Sequence, residues 1–114
     1  MSETIFSKII RKEIPSKIEY EDDEILAFYD IDPKAPIHIL IIPKKIIPTT
    51  NDLQAEDALL VGKIIITARN IAEKLGIAVD GYRLVFNCNK NGGQAVNHLH
   101  CHLLAGRQMN WPPG

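Results

Sequence analysis

The sequence predicts an α+β fold in which one long and one short helix pack on an antiparallel sheet of about five strands. Short apolar runs follow one another early in the chain with no helix between them, which favours antiparallel pairing. One long segment has apolar residues at three- and four-residue steps, as an amphipathic helix does. A late segment alternates apolar and polar residues, as a strand does. With 114 residues, the chain is expected to form one domain, residues 1–114.

The first 29 residues are expected to form a short helix and a hairpin. Thr4 can cap the helix, and Pro15 lies after its end. Two apolar-rich runs follow, at residues 18–20 and 25–29, and the charged residues 21–24 separate them. This arrangement is typical of two antiparallel strands joined by a turn.

The middle of the chain is expected to hold a third strand between two loops. Residues 30–36 contain two prolines and are interpreted as a loop. Residues 37–42 alternate as a strand, with His38 on the same face as Leu40 and Ile42, and Pro43 ends it. Residues 48–52 are expected to form a second loop.

The second half is expected to contribute the long helix and two strands. Residues 55–75 have the helical apolar stripe, and Gly76 is placed to end that helix. A strand is expected at residues 82–87, and a glycine-rich loop follows it at residues 89–94. The alternating segment that comes next completes the sheet.

Composition excludes several classes of function. The net charge is −1, which gives no support for binding nucleic acid or an anionic membrane. No apolar run approaches the roughly 20 residues of a membrane span, and the N-terminus has no signal-peptide pattern. Cys88 and Cys101 fit no disulfide framework, which favours a reducing compartment, the cytoplasm or the nucleus.

Three of the four histidines alternate near the end of the chain, at His98, His100 and His102. On a strand such side chains share one face, about 6.6 Å apart. The residues between them are apolar and would face the other side. A row of titratable rings opposite an apolar face is not typical of a core strand, so the sequence predicts a functional site here.

Zinc binding is one interpretation of these rings, because imidazoles two residues apart on a strand can chelate a metal. A row of three favours two adjacent rings over three rings at one ion, and Cys101 would face away from them. We therefore expect no metal and no cofactor, and zinc binding remains the less favoured alternative.

Nucleophilic catalysis is the favoured interpretation. A neutral imidazole can attack phosphorus and form a labile phosphoryl- or nucleotidyl-histidine. The flanking rings could stabilise the developing charge and supply a proton to the leaving group. The preceding Gly92, Gly93 and Gln94 could offer backbone N–H groups to a phosphate.

Residues 92–104 read GGQAVNHLHCHLL and resemble the signature of the histidine triad (HIT) superfamily. The segments TIFSKII (residues 4–10), DIDPKAPIH (30–38) and GRQMNWPPG (106–114) resemble its nucleotide-binding branch, the adenosine 5′-phosphoramidases and protein kinase C inhibitor-like proteins. The resemblance covers nearly the whole chain and is weakest over residues 46–59. It implies the HIT-like fold.

The resemblance also implies catalytic roles. His100 would be the nucleophile that carries a transient AMP. His102 would contact the α-phosphate and the departing group. His98 and His38 would orient the network around the nucleophile.

A substrate-binding set is implied in the same way. Asp30, a carboxylate able to accept two hydrogen bonds, would hold the ribose hydroxyls. Ala95 stands where the branch often has Ser, so one hydroxyl beside the phosphate is missing. The remaining implied substrate contacts are Ile31 beside the ribose, Ile5, Phe6, Ile9 and Phe28 around the purine, and Asn87, Gly93 and Gln94 around the ribose and phosphate.

The same resemblance implies a homodimer whose two sheets join through the long helix and the strand at residues 82–87. Trp111 in the C-terminal tail would pack on the rim of the partner's active site and influence leaving-group preference. A large ring exposed at a chain end is an apolar liability, which agrees with such packing.

The function expected is hydrolysis of the P–N bond of purine nucleoside 5′-phosphoramidates, such as AMP-lysine or AMP-NH2, through a nucleotidyl-histidine. The first alternative is a nucleotide-binding regulatory or scaffold protein with only residual catalysis. The second is a zinc-binding protein. Turnover distinguishes the first two, and metal content tests the third. The match of the tail argues against dinucleotide polyphosphate hydrolysis.

Overall fold

The computed structural model describes residues 3–114 and confirms the predicted α+β fold. Positions 1 and 2 of the predicted domain lie outside the described residues. The strands are β1 (Ile18–Glu21), β2 (Ile25–Tyr29), β3 (Ile37–Pro43), β4 (Tyr82–Val85) and β5 (Cys101–Ala105). The helices are α1 (Ile5–Ile10), α2 (Ala58–Lys74) and the single turn α3 (Asn89–Gly92), with 3-10 turns at Thr50–Asp52 and Ala55–Asp57.

The five strands form one antiparallel sheet in the order β1-β2-β3-β5-β4. β1 and β2 form the predicted hairpin. The central pairing of β3 with β5 places Leu40 opposite His102 and His38 opposite Leu104. This pairing joins two distant parts of the sequence and brings the fourth histidine beside the triad.

Each face of the sheet carries one of the predicted helices. α2 covers the face of Ile39, Ile41 and Leu103, all completely buried. α1 covers the other face, where Phe6 and Ile9 pack against Phe28, Leu40 and Ile42. Thr4 caps α1 as predicted, and its hydroxyl accepts a hydrogen bond from the Ser7 N–H. No helix of residues 3–114 is long and apolar enough to cross a membrane.

The prediction that the histidine strand includes His98 and His100 is wrong, because β5 begins only at Cys101. The N–H of Leu99 donates to the Ile47 carbonyl in the loop after β3. Residues 98–100 therefore lie outside the hydrogen-bonded sheet, between the glycine-rich turn and the start of β5. The ring centroids of His100 and His102 consequently lie 4.9 Å apart, closer than regular strand spacing would place them.

Other element boundaries also differ from the prediction. β4 ends at Val85 rather than at residue 87. α2 begins at Ala58, because residues 55–57 form a separate 3-10 turn. The loop predicted at residues 89–94 contains the helical turn α3, which Gly93 ends with a positive φ of 78°. Pro43 is the last residue of β3 and not the residue after it.

Candidate active site

A cavity of about 410 Å³ opens on the α1 face of the sheet. Its floor is formed by strands β2, β3 and β5, and its walls by α1, the 30–36 loop and the segment before β5. Seven of the predicted substrate contacts line it, together with three of the four histidines: Ile5, Phe6, Ile9, Phe28, Asp30, Ile31, His38, Ala95, His100 and His102. The cavity therefore unites residues from four separate parts of the chain.

His100 presents one ring nitrogen to this cavity. Its Nδ1 lies 2.7 Å from the carbonyl oxygen of His98. Because a carbonyl oxygen only accepts hydrogen bonds, the proton of the neutral ring is on Nδ1 and Nε2 keeps its lone pair. The ring also packs edge-on against Phe6, with centroids 5.1 Å apart. These contacts fix both the tautomer and the orientation of a potential nucleophile.

His38 and His102 form a second hydrogen-bonded unit. The backbone N–H of Lys34 donates to His38 Nδ1 at 3.0 Å, so the proton of neutral His38 is on Nε2. That nitrogen lies 2.9 Å from His102 Nδ1, which must then accept. The proton of neutral His102 is consequently on its Nε2, a buried atom with no hydrogen-bond partner among the described residues.

Asp30 lies beside this pair, with its Oδ2 3.5 Å from His38 Nε2. Its Oδ1 accepts a hydrogen bond from the Asp32 N–H at 2.9 Å. The carboxylate therefore retains acceptor capacity on the side that faces the cavity, as binding of a diol requires.

His98 is completely buried behind His100 and does not line the cavity. Its Nε2 lies 2.7 Å from the Pro43 carbonyl at the end of β3 and donates to it. This hydrogen bond holds His98 in place, and the backbone carbonyl oxygen of His98 in turn orients the ring of His100. This contact is consistent with the orienting role that the sequence predicted for His98.

Burial keeps all four rings neutral. Desolvation is the main cause that lowers the pKa of His38, His98 and His100. The same effect, reinforced by the neighbouring His100 and His38, lowers the pKa of His102 to about 4. Asp30 acts in the opposite direction on His38, His100 and His102 but does not overcome burial. A neutral His100 is the form that has a free lone pair.

Four predicted substrate contacts are not brought into the cavity: Asn87, Gly93, Gln94 and Trp111. The side chain of Gln94 binds backbone groups of Asn89, Pro48 and Val96. The N–H groups of Gly93 and Gln94 donate to carbonyls of α3. Trp111 is 82% exposed in the single chain. Their predicted roles remain predictions.

Other residues of the cavity were not among the predicted substrate contacts. Leu40 could have been found, because it alternates with His38 on β3, whereas Val96 and Ile14 gave no signal distinct from core residues. Ser16 lies beside them in the wall. The Lys34 contact is made by a backbone N–H, which no side-chain pattern reveals.

Asp30, His38 and His102 could also hold a metal ion, because one ligand atom from each lies within 4.8 Å of the others. An ion there would have to displace the hydrogen bond between His38 and His102. The donor set, one carboxylate and two imidazoles, is of the type that zinc accepts. Within residues 3–114, the zinc alternative thus applies to this corner of the cavity.

The model of the HIT domain family matches residues 11–109 of the chain. The chain belongs to this family, as its histidine motif predicted.

Individual relatives extend the match beyond the domain. The chain is 60% identical over 107 residues to the "Purine nucleoside phosphoramidase" of Escherichia coli K12, covering 94% of this chain and 90% of the relative. A HIT family hydrolase from Legionella pneumophila superposes with a TM-score of 0.96 at 54% identity, covering 98% of this chain and 100% of that one. A HIT family hydrolase from Clostridium thermocellum gives a TM-score of 0.92 at 45% identity, covering 96% of each.

Proposed function

We propose that this protein is a purine nucleoside phosphoramidase, which hydrolyses the P–N bond of adenosine or guanosine 5′-phosphoramidates through a nucleotidyl-histidine. The observation that carries the proposal is the 2.7 Å hydrogen bond from His100 Nδ1 to the His98 carbonyl. It leaves a neutral ring with its Nε2 lone pair at the cavity, the form required for attack on phosphorus. The name of the Escherichia coli relative supports the same activity.

In the first step His100 Nε2 attacks the α-phosphorus. The new N–P bond forms as the P–N bond to the amine breaks, and its electron pair leaves with the amine nitrogen. That nitrogen takes one proton from solvent at the open side of the cavity. The product on the protein is a nucleotidyl-imidazolium that keeps its Nδ1 proton on the His98 carbonyl.

His102 serves this step as a hydrogen-bond donor to a phosphoryl oxygen. A second proton on its ring would sit on Nδ1, against the N–H of His38 2.9 Å away. The network therefore opposes a doubly protonated His102 that could pass a full proton to the leaving group. Stabilisation of negative charge by a fixed donor is the larger contribution in such sites.

In the second step a water molecule attacks the phosphorus of the nucleotidyl-histidine. A P–O bond forms, the N–P bond breaks, and its electron pair returns to His100 Nε2. The proton lost by the water passes to solvent. AMP or GMP leaves, and the neutral ring is restored.

The walls of the cavity support a purine nucleoside as the substrate. Ile5, Ile9 and Phe28 contribute apolar side chains to the lining of the cavity, and a planar base would pack against them. Asp30 lines the same cavity, with its Oδ2 3.5 Å from His38 Nε2, and would hold the ribose there. Ile31 is 92% exposed and would cover the base.

The test is incubation with a fluorogenic adenosine phosphoramidate, followed by intact-mass analysis after acid-free quenching. We expect turnover and a transient mass increase that corresponds to one AMP, mapped to His100 by fragmentation. A matched uridine phosphoramidate should be a poorer substrate. Turnover without an adduct on any histidine would overturn the covalent mechanism.

The alternative of a nucleotide-binding regulatory protein predicts the same cavity with negligible turnover, so the rate itself separates the two. For the zinc alternative, we expect full activity in EDTA, because the histidine donors supply the charge stabilisation. Activity lost in EDTA and restored by zinc would favour a metal at Asp30, His38 and His102.

We further propose that two copies join through β4 and α2. β4 is one of the two edge strands of the sheet, and its residues are only half-buried. Ile65 and Ile66 of α2 are 42% and 45% exposed. A second copy paired edge to edge would form hydrogen bonds with the free backbone groups of β4 and would cover these side chains.

Deletion of residues 109–114 tests the role of the tail in that dimer. We expect sedimentation to give a dimer with and without the tail, because strand and helix would bury most of the interface. The ranking of kcat/KM among amine leaving groups should change more than AMP affinity. An unchanged ranking, or a monomer after truncation, would contradict this role.

The chain would act as one domain. The cytoplasm is proposed as its location because the three relatives described above are bacterial, and they give no support for the nuclear alternative.

A further inference from the structure

The segment after β5 makes close contact with the loop that supplies Asp30 and the Lys34 amide to the site. Gly106 has a φ of +95°, and a Cβ built there would lie 2.8 Å from Pro36 Cβ. Only glycine allows this approach without strain. The end of the 30–36 loop is thus held directly against the backbone of Gly106.

Arg107 makes the second contact with the same loop. Its Nη2 donates to the Lys34 carbonyl at 3.0 Å, across 73 positions of sequence. The N–H of Lys34 in turn donates to His38 Nδ1 at 3.0 Å. A continuous series of hydrogen bonds therefore runs from Arg107 through Lys34 and His38 to His102.

We propose that Gly106 and Arg107 are positioning residues that clamp the 30–36 loop and thereby hold His38 in the tautomer that donates to His102. The clamp touches neither substrate nor the reacting atoms. It acts by keeping the Lys34 N–H aimed at His38 Nδ1, since that bond decides which nitrogen of His38 carries the proton. The expected effect of the clamp on turnover rests on the proposed function, whereas its expected effect on His38 does not.

Release of the clamp has a defined consequence for His38. The ring faces Asp30, Asp32 and Lys34 from the loop and His100 and His102 from the strand side. A hydrogen bond donated to the lone pair on Nδ1 opposes protonation there. Loss of that bond would permit the tautomer that cannot donate from Nε2.

The experiment compares Arg107→Ala with Arg107→Lys and Arg83→Ala in the full-length protein. Arg83 is the matched control, because its guanidinium also binds a backbone carbonyl, that of Asn110 at 2.9 Å, but does not touch the loop. Long-range ¹H–¹⁵N spectra of the histidine rings report the tautomer of His38. Circular dichroism and sedimentation verify the fold and the association state of each variant.

We expect Arg107→Ala to populate both His38 tautomers. It should also lower kcat about two- to tenfold with KM unchanged, the range that one hydrogen bond contributes. Arg107→Lys should restore part of both effects, and Arg83→Ala should leave the His38 signals as in the wild type.

Wild-type His38 signals in folded Arg107→Ala would overturn the clamp, whatever the activity. Gly106→Ala provides an independent check, because its Cβ would push Pro36 and the loop while leaving Arg107 intact. A folded Gly106→Ala protein with wild-type His38 signals would equally contradict the inference. If the wild type hydrolyses no phosphoramidate but the spectra change as expected, the clamp stands and the proposed function fails.

Discussion

The two faces of the sheet are built from the same strands and have opposite properties. Along β5, Cys101 and Leu103 are completely buried against α2, whereas His102 between them faces the cavity. Along β3, Ile39 and Ile41 face α2, and His38 and Leu40 line the cavity. Adjacent residues thus serve stability on one face and chemistry on the other, which makes the two roles separable by mutation.

The largest expected effect is on the cavity face. His100→Ala should reduce kcat/KM at least about a thousandfold, as removal of a nucleophile does in other covalent enzymes. AMP binding should remain close to that of the wild type, because the base and ribose contacts are made by other residues. Isothermal titration calorimetry and steady-state kinetics check the two parts, and wild-type turnover would refute the assignment of the nucleophile.

The matching change on the opposite face is Leu103→Ala. Removing this completely buried side chain should lower the free energy of unfolding by about 2–5 kcal/mol, measured by urea denaturation. kcat of the folded fraction should be nearly unchanged, although Leu103 follows His102 directly. A large loss of kcat in a protein that is still folded would show that the two faces are coupled.

The difference between the faces also explains what the sequence could predict. The strict alternation of residues along β3 correctly predicted which side chains lie on each face of the sheet, since period-2 patterning reports burial directly. It failed at His98 and His100, because the segment's partners are the carbonyls of Ile47 and Pro43, which are distant in the sequence. Element types depend on local patterns, whereas element ends depend on such long-range contacts.

The candidate site divides in the same way. The three alternating histidines were recognisable by residue type and spacing, whereas the site roles of His38 and of the apolar residues of α1 came only from the resemblance to the family. The tautomers were not, because they depend on backbone groups of Lys34 and His98 whose positions only the fold defines. The same holds for Gln94, whose amide is used to bind backbone and not to reach the cavity.

The two faces should contribute differently to the pH dependence of activity and of stability. Burial lowers the pKa of His100, so the acid limb of kcat/KM should lie below the ordinary histidine value of about 6.5. Because the unfolded chain binds more protons than the native chain below that value, stability should be constant at neutral pH and fall as the pH drops through about 6.5. The apolar α2 face contributes nothing to this slope.

Rates measured from pH 4.5 to 8, with urea unfolding at each pH, check this expectation. Leu103→Ala should shift the whole stability curve downward without changing its slope, since it removes no titrating group. An acid limb above pH 6.5, or stability that rises as the pH falls from 7 to 5, would contradict neutral buried histidines.

The smallest expected effect is a gain in kcat/KM from a substitution on the cavity face. Ala95 lines the cavity and is exposed to solvent, and the resemblance in sequence implied a Ser at this position. Ala95→Ser would place one hydroxyl near the phosphate or the leaving nitrogen, and a single neutral hydrogen bond is worth about 0.5–1.5 kcal/mol. We therefore expect kcat/KM to rise by no more than about tenfold, with unfolding free energy within about 0.5 kcal/mol of the wild type. Ala95→Gly is the control, since it removes rather than adds side-chain atoms. Equal rates in Ala95→Ser and the wild type would show that the neighbouring donor, His102 Nε2, already saturates the charge that develops on the phosphoryl group.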